Sequence, residues 1–245
     1  MSEFLPFRQI GQFDPGDPLA PRVVCVADHA SNAVPPDTSL GVAPHLMDKH
    51  IAVDIGVEGV VRRLADHHGF PAHVATLSRL VIDLHREEDH PHLVPESSDG
   101  HLIPGNIGAD VQRRIEQFHR PYHEALAAWL ERHEPELILS VHSFTPQLEA
   151  KAEPRPWDVS LLYNEDDRAA RHAIRFLSEL GFTVGENEPY AGAELNATMN
   201  RHAEAHGRPY CFLEIRQDLI ATRADQARWA ATIADVAGRV ALALS

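Results

Sequence analysis

The chain has 245 residues, of which 44% are hydrophobic and 24% charged, and this composition excludes a disordered, collagen-like or coiled-coil protein. Its formal net charge of −14 argues against nucleic-acid binding and against adhesion to an anionic membrane. No apolar run could span a bilayer, and residues 1–10 lack the apolar core of a signal peptide. We expect one domain over residues 1–245, located in the cytoplasm as a monomer or small homo-oligomer, with Cys25 and Cys211 as reduced thiols.

Apolar runs typical of strands alternate along the chain with segments of helical spacing. Strands are predicted over residues 22–27, 72–76, 78–83, 137–141, 159–163, 182–184 and 210–215, and amphipathic helices over residues 48–68, 110–133, 168–180 and 222–244. Residues 1–20 are predicted to be a lead-in, and residues 87–106 a long loop of the kind that carries function. The alternation predicts an α/β fold whose sheet has helices on both faces.

Histidines follow two of the predicted strands at the points where the strands end. His29 and His142 each come directly after an apolar run, so their backbones should be rigid. Ligands of open α/β sheets collect at the carboxyl ends of the strands, and we therefore expect these two histidines to meet. Two histidines and one carboxylate are a common ligand set for catalytic zinc. Asp54 is our preferred third ligand, with Asp28 and Asp48 as alternatives.

A carboxylate and two arginines also lie close to ends of predicted strands. Glu214 ends an apolar run, where burial would raise its pKa towards general-base use, whereas a structural ion pair is the alternative. Arg79 and Arg86 flank Asp83, and their planar guanidinium groups suit an anionic substrate, although a structural arginine–aspartate network fits the same pattern. Ser143 lies outside any Gly-x-Ser-x-Gly motif, which disfavours a serine nucleophile.

Five segments, spread in order over about residues 22–220, carry a more specific pattern. They are Asp-His-Ala-Ser-Asn-Ala-Val-Pro (28–35), His-Ile-Ala-Val-Asp-Ile-Gly (50–56), Ser-Arg-Leu-Val-Ile-Asp-Leu-His-Arg (78–86), Ser-Val-His-Ser-Phe-Thr-Pro (140–146) and Leu-Glu-Ile-Arg-Gln-Asp-Leu-Ile (213–220). Together they resemble the N-formylglutamate amidohydrolase family. The resemblance implies a mixed sheet between helices, as in zinc carboxypeptidases and aspartoacylases. It also implies hydrolysis of N-formyl-L-glutamate to L-glutamate and formate, a step of histidine degradation.

The resemblance assigns a metal site by position. It implies His29, Asp54 and His142 as zinc ligands, although another divalent transition metal would suit the same groups. It also implies Glu214 as the general base that takes a proton from water.

The substrate implied by the resemblance is a small anionic N-acyl amino acid. Arg79 and Arg86 would bind its carboxylate, with Asn32 and Ser143 as further substrate-binding residues. Members of the histidine pathway carry Pro-His-x-Gly where this chain has Asp-His-Ala-Ser, and Asp-x-Asn-Arg where it has Asp-Leu-His-Arg. These differences indicate a side branch of the family that the chain resembles.

Two other functions fit parts of the sequence. A deacylase or carboxypeptidase-like hydrolase would share the metal and differ in the pocket. A non-catalytic metal-binding protein would use several of the 17 histidines in weak sites, among them His85, His90, His92 and His101.

Overall fold

Seven strands form one mixed β-sheet in the computed structural model, which describes residues 4–13, 22–151 and 153–245. The strands are β1 (Phe7–Ile10), β2 (Val23–Ala27), β3 (Ala72–Ala75), β6 (Leu137–Phe144), β7 (Val159–Leu162), β8 (Val184–Glu186) and β9 (Tyr210–Arg216), and β4 (Ser97–Ser98) pairs with β5 (His101–Leu102) in a separate hairpin. The sheet order is β1-β3-β2-β6-β9-β7-β8. The central strands β3, β2, β6 and β9 are parallel, whereas β1 is antiparallel to β3 and β7 is antiparallel to β9.

Helices cover both faces of the sheet, and two apolar cores result. The helices are α1 (Val57–His68), α2 (Val111–Arg114), α3 (Arg120–His133), α4 (Arg168–Glu179), α5 (Ala197–His202) and α6 (Arg223–Leu244), and a π-helical turn, Ile115–His119, joins α2 to α3. Helices α1, α4 and α6 pack on one face, and α3 and α5 pack on the other. Every residue of β2 and β6 is buried, as expected for strands of a parallel sheet that is covered on both sides.

The start of α1 depends on a glycine. Gly56 precedes the helix at φ +85°, and a Cβ at this position would lie 2.3 Å from the carbonyl oxygen of Ile220. A side chain is therefore excluded both by the backbone conformation and by the close approach of a second segment. This junction fixes the chain between Asp54 and the helix.

The α/β fold with helices on both faces is confirmed, and two predicted elements are wrong. Residues 78–83 are turns rather than a strand, because their apolar side chains enter the core without pairing with a neighbouring strand. The helix predicted from residue 48 begins at Val57, since the N–H of Asp54 donates to the carbonyl of His29 instead of to a helical partner. The predicted lead-in contains β1, while its residues 1–3 and 14–20 lie outside the described ranges.

Two further observations concern the cysteines and the membrane. Cys25 and Cys211 are buried and unpaired, and burial raises the pKa of the Cys211 thiol to about 12. Across the described ranges, no helix is both long enough and apolar enough to cross a bilayer.

The core under α3 provides a test of the fold. Leu126→Ala should lower the free energy of unfolding by about 2–5 kcal/mol, because it opens a cavity at a fully buried position. Leu242→Ala, at a side chain that is 77% exposed, is the matched control and should change it by less than about 0.5 kcal/mol. Urea denaturation followed by circular dichroism measures both, and equal losses would contradict the assigned packing.

Candidate active site

The carboxyl ends of the central strands bring the candidate residues together. His29 is the second residue after the end of β2, and His142 lies near the end of β6, directly opposite Glu214 of β9. Asp54 comes from the loop before α1, where its N–H donates to the His29 carbonyl across 2.9 Å. The side chains therefore sit on backbone that is fixed by the sheet or bonded to it.

Three buried side chains converge on one point. The Nδ1 atom of His29 lies 3.5 Å from Oδ2 of Asp54, and Nδ1 of His142 lies 2.8 Å from the same oxygen. Two ligand atoms that each lie about 2 Å from a tetrahedral zinc ion are roughly 3.3 Å apart, and the two separations bracket that value. One nitrogen from each histidine and one carboxylate oxygen thus form a candidate metal site.

The far nitrogen of each imidazole faces a second carboxylate. Nε2 of His29 lies 2.7 Å from Oδ1 of Asp83, and Nε2 of His142 lies 3.4 Å from Oδ2 of Asp28. For His29, the Asp83 carboxylate keeps the proton on Nε2, which leaves the Nδ1 lone pair for a cation. For His142, Nδ1 is hydrogen-bonded to Asp54, and Nε2 has no hydrogen-bond partner among the described residues. Nδ1 of His29 has no hydrogen-bond partner among the described residues, although it is buried. A buried imidazole nitrogen without a hydrogen-bond partner is suited to bind a metal cation.

The electrostatics of the cluster favour positive charge. Burial alone would raise the pKa of Asp28, Asp54 and Asp83, but the facing imidazoles, and for Asp83 also a nearby arginine, hold all three well below the usual value. Burial alone would lower the pKa of His142, yet its bonds to Asp28 and Asp54 outweigh this and raise it to about 10. Three buried carboxylates thus attract a proton or a metal cation to the same place.

The two alternative third ligands differ in their surroundings. Asp28 is buried, accepts a hydrogen bond from the hydroxyl of Tyr122 at 2.5 Å, and lies 3.1 Å from Nδ1 of His85. Together with His85 and His142 it forms a second group of possible ligands, which shares His142 with the first. Asp48 is exposed and accepts from the side-chain amide of Asn32 across 3.1 Å, so it lies apart from the cluster.

Glu214 lies beside the cluster without a partner for one of its oxygens. Burial raises its pKa to about 7, against the opposing influence of His142. Its Oε2 atom is buried and has no hydrogen bond within the described part of the chain. A carboxyl group in this state exchanges a proton near neutral pH, as a general base must.

A cavity of about 430 Å³ opens onto His29, His142 and Glu214. Both predicted arginines line it, but they differ in their contacts. Arg79 donates to Asp54 across 3.2 Å and to Asp83 across 2.9 Å, so its guanidinium group is committed to buried carboxylates. The closest carboxylate oxygen to Arg86 is that of Asp83, 3.8 Å from Nε, which is beyond hydrogen-bond distance.

Comparison with known proteins identifies the family of this chain. The family model of N-formylglutamate amidohydrolase matches residues 21–221. The chain belongs to the N-formylglutamate amidohydrolase family. A structure of a gene product from Agrobacterium tumefaciens is similar at a TM-score of 0.86 and 26% identity, covering 98% of this chain and 96% of that one. The N-formylglutamate amidohydrolase of Ralstonia eutropha is similar in fold, with a TM-score of 0.71, 24% identity and 98% coverage of both chains. A comparison with curated proteins gives no match.

Two predicted substrate-binding residues of this family member lie in different places. Ser143 lines the cavity, donates from its hydroxyl to the Ile55 carbonyl and from its N–H to Asp54. Asn32 lies outside the cavity, because its side-chain amide donates to the Met47 carbonyl and to Asp48. It lines a separate, more open space of about 470 Å³ on the other side of Asp54.

The histidines proposed for weak metal sites do not form a cluster with one another. In the described ranges, the two groups of possible metal ligands both include His142, and His90, His92 and His101 belong to neither. His85 does belong to one of them, and its ring lies 5.0 Å from that of His142. Within the described part of this chain, both candidate groups of metal ligands therefore lie at one end of the sheet.

The backbone that carries Arg86 has a support that the sequence did not reveal. Nε2 of His119 donates to the carbonyl of Arg86 across 2.9 Å, and Nε2 of His123 donates to that of Leu84 across 3.0 Å. Both histidines are buried on the π-helical turn and on α3. Their spacing of one helical turn was visible in the sequence, but nothing there indicated which carbonyls they bind.

A second unpredicted feature closes the rim of the cavity. Asp99, at the tip of the β4–β5 hairpin, accepts from the N–H groups of Glu149 and Ala150 at 2.7 and 2.8 Å, and lies 3.0 Å from Nε2 of His50. Its φ of +44°, followed by Gly100 at +81°, gives the tight two-residue turn expected of Asp-Gly. We refer to this contact of three segments as the Asp99 clasp.

The different contacts of the two arginines lead to a test. Arg79→Met should lower the free energy of unfolding by about 3–5 kcal/mol, since it leaves Asp54 and Asp83 buried without their shared cation. Arg86→Met is the matched control and should cost less than about 1 kcal/mol, because no ion pair within hydrogen-bond distance is lost. Urea denaturation in the presence of a chelator compares them, and a larger loss for Arg86→Met would contradict this assignment.

Proposed function

We propose that this protein is a metal-dependent amidohydrolase that cleaves the amide bond of a small N-acyl amino acid. The observation that carries the proposal is the convergence of His29, His142 and Asp54 beside Glu214, in a cavity that also contains Arg86. Membership of the N-formylglutamate amidohydrolase family supports the reaction class. N-formyl-L-glutamate is accordingly the reference substrate for assays, and zinc is the proposed metal because two nitrogens and one carboxylate oxygen suit it.

The proposed roles follow from the position of each side chain. A divalent metal held by His29, Asp54 and His142 would polarise the amide carbonyl and lower the pKa of water. Glu214 would accept a proton from the attacking water, whose oxygen bonds to the carbonyl carbon. The same carboxyl would then pass that proton to the nitrogen as the C–N bond breaks. The products are a carboxylate from the acyl group and a free amino acid.

Arg86 is the proposed anchor for the substrate carboxylate. No carboxylate of the described residues lies within hydrogen-bond distance of its guanidinium group, whereas the guanidinium group of Arg79 already donates to Asp54 and Asp83. A fork of N–H donors on a supported backbone would hold the carboxylate in one orientation. The scissile amide would then lie next to Glu214 before the reaction begins. This orientation lowers the entropic part of the activation barrier.

The metal site predicts a simple stoichiometry. Purified protein should bind one divalent metal ion per chain, and His29→Ala or His142→Ala should abolish tight binding because each removes one of three ligands. His206→Ala, at an exposed histidine, is the matched control and should retain the metal. Equilibrium dialysis with zinc, quantified by mass spectrometry, measures this. Stoichiometric zinc in both ligand variants would overturn the proposed site.

The role of Glu214 predicts a pH profile. A general base must be ionised, so kcat/KM should fall tenfold per pH unit below the pKa of Glu214. Burial raises that pKa to about 7, and a bound cation would lower it, so the midpoint of the acid limb should lie at or below about 7.

Glu214→Gln tests the same role by substitution. It should reduce kcat by about 10²–10⁴-fold, because the amide cannot accept the proton, while the metal content stays unchanged. Hydrolysis assays from pH 5 to pH 9, with metal analysis of the variant, test both statements. Full activity of the variant, or an acid limb centred above pH 8, would exclude the role.

A further inference from the structure

The cavity that contains Arg86 also has an apolar surface, lined by largely buried side chains. The ring centroid of Phe212 lies 4.8 Å from that of His142, so this surface begins beside the candidate metal ligands. It continues through side chains from four separate segments of the chain. Five residues that line the cavity form it and are hereafter the apolar wall: Ile51, Phe144, Leu148, Leu195 and Phe212.

Positive charge that is free to bind a ligand is scarce in the cavity. Arg79 donates to two buried carboxylates, and Nε2 of His50 is bonded to Asp99. His85 is also committed, with Nδ1 against Asp28 and Nε2 3.3 Å from the Leu195 carbonyl. Among the described residues that line the cavity, Arg86 is therefore the arginine without a carboxylate at hydrogen-bond distance, which favours it as the anchor of a substrate carboxylate.

A third arginine lies next to the cavity but is occupied. Arg155 donates to the hydroxyl of Tyr190 across 2.9 Å and to the Thr145 carbonyl across 3.3 Å. Its guanidinium carbon also stacks 4.9 Å from the centroid of the Tyr190 ring. Tyr190 and Thr145 line the cavity, whereas Arg155 does not. Tyr190 and Thr145 therefore separate Arg155 from a molecule bound in the cavity.

At the rim formed by the β4–β5 hairpin, the carboxylates and the cations are already paired with one another. Asp99 lines the cavity, and its carboxylate is held in place by the Asp99 clasp. The neighbouring Glu149 already binds the Nζ of Lys49 across 2.7 Å and faces Nε2 of His101 across 2.9 Å. A second carboxylate on the substrate that reached this rim would meet apolar side chains and an acid, and the cations there, Lys49 and His50, are already paired. Burial of an unpaired ionised group is strongly unfavourable.

We propose that the substrate carries one carboxylate, bound by Arg86, and an uncharged apolar side chain that packs on the apolar wall. The inference rests on the proposed function and narrows it to N-acyl derivatives of amino acids such as leucine, methionine or phenylalanine. N-formyl-L-glutamate, with two carboxylates, is then a poor substrate of this chain. The amide to be cleaved lies between the two contacts, next to Glu214.

A substrate panel tests this directly. With the zinc-loaded protein, kcat/KM for N-formyl-L-leucine should exceed that for N-formyl-L-glutamate at least tenfold, since the second carboxylate would be buried without a partner. N-formyl-L-glutamine matches glutamate in size without its charge and should fall between them. An equal or higher kcat/KM for N-formyl-L-glutamate would overturn the inference while leaving the proposed function intact.

A change in the apolar wall should change the preference. Leu148→Arg adds a cation at a half-buried loop position, so it should reduce the leucine-to-glutamate ratio of kcat/KM at least tenfold. Leu148→Met is the matched control, because it keeps an apolar side chain of similar length, and it should preserve the order of the substrates. A ratio that is the same in both variants would show that the side chain of the substrate does not reach the apolar wall.

A binding measurement distinguishes a failure of this inference from a failure of the proposed function. Zinc-loaded Glu214→Gln should bind N-acetyl-L-leucine at least tenfold more tightly than N-acetyl-L-glutamate in calorimetry. If the wild-type chain hydrolyses neither formyl derivative but this order of affinities holds, the proposed function fails and the inference about the ligand stands. Tighter binding of N-acetyl-L-glutamate overturns the inference whatever the activity.

Discussion

The burial of Asp28, Asp54 and Asp83 around two imidazoles is the constraint on which the site depends. Carboxylates that are removed from water must find cations or hydrogen-bond donors, or the fold loses stability. His29 and His142 each lie between two of these carboxylates, and each directs one nitrogen at Asp54. For His29, the same arrangement that balances buried charge also fixes Nε2 as the donor to Asp83 and leaves Nδ1 for a metal.

The sheet supplies the rigidity that such a cluster needs. Parallel strands end at one edge, so residues that are distant in sequence, such as His142 and Glu214, become direct neighbours. Asp54 does not belong to a strand, but its N–H is bonded to the His29 carbonyl, and Gly56 fixes the chain just after it. The backbone of the charged residues is thus fixed by hydrogen bonds and packing. Their side chains therefore lose little conformational entropy when they contact one another.

Much of this arrangement could be predicted from local patterns. Apolar runs that end near His29 and His142 predicted both strands and their common edge. Asp54 was the preferred third ligand on the same grounds, with Asp28 and Asp48 as alternatives, and the family resemblance implied the same residue. The apolar run at 78–83 was misleading, because a short run of consecutive buried apolar side chains looks the same in a turn that enters the core as in a buried strand. Contacts such as Tyr122 with Asp28 could not be predicted, since they join segments 94 residues apart and leave no periodic signal.

The Asp99 clasp has a consequence for how this rim can vary among related proteins. A single carboxylate joins the hairpin tip to the backbone at residues 149 and 150 and to His50, so three loops share one anchoring point. Loops that are coupled in this way cannot be exchanged one at a time without leaving two backbone donors unsatisfied. Grafting a new rim onto this scaffold therefore means transplanting all three segments as one module.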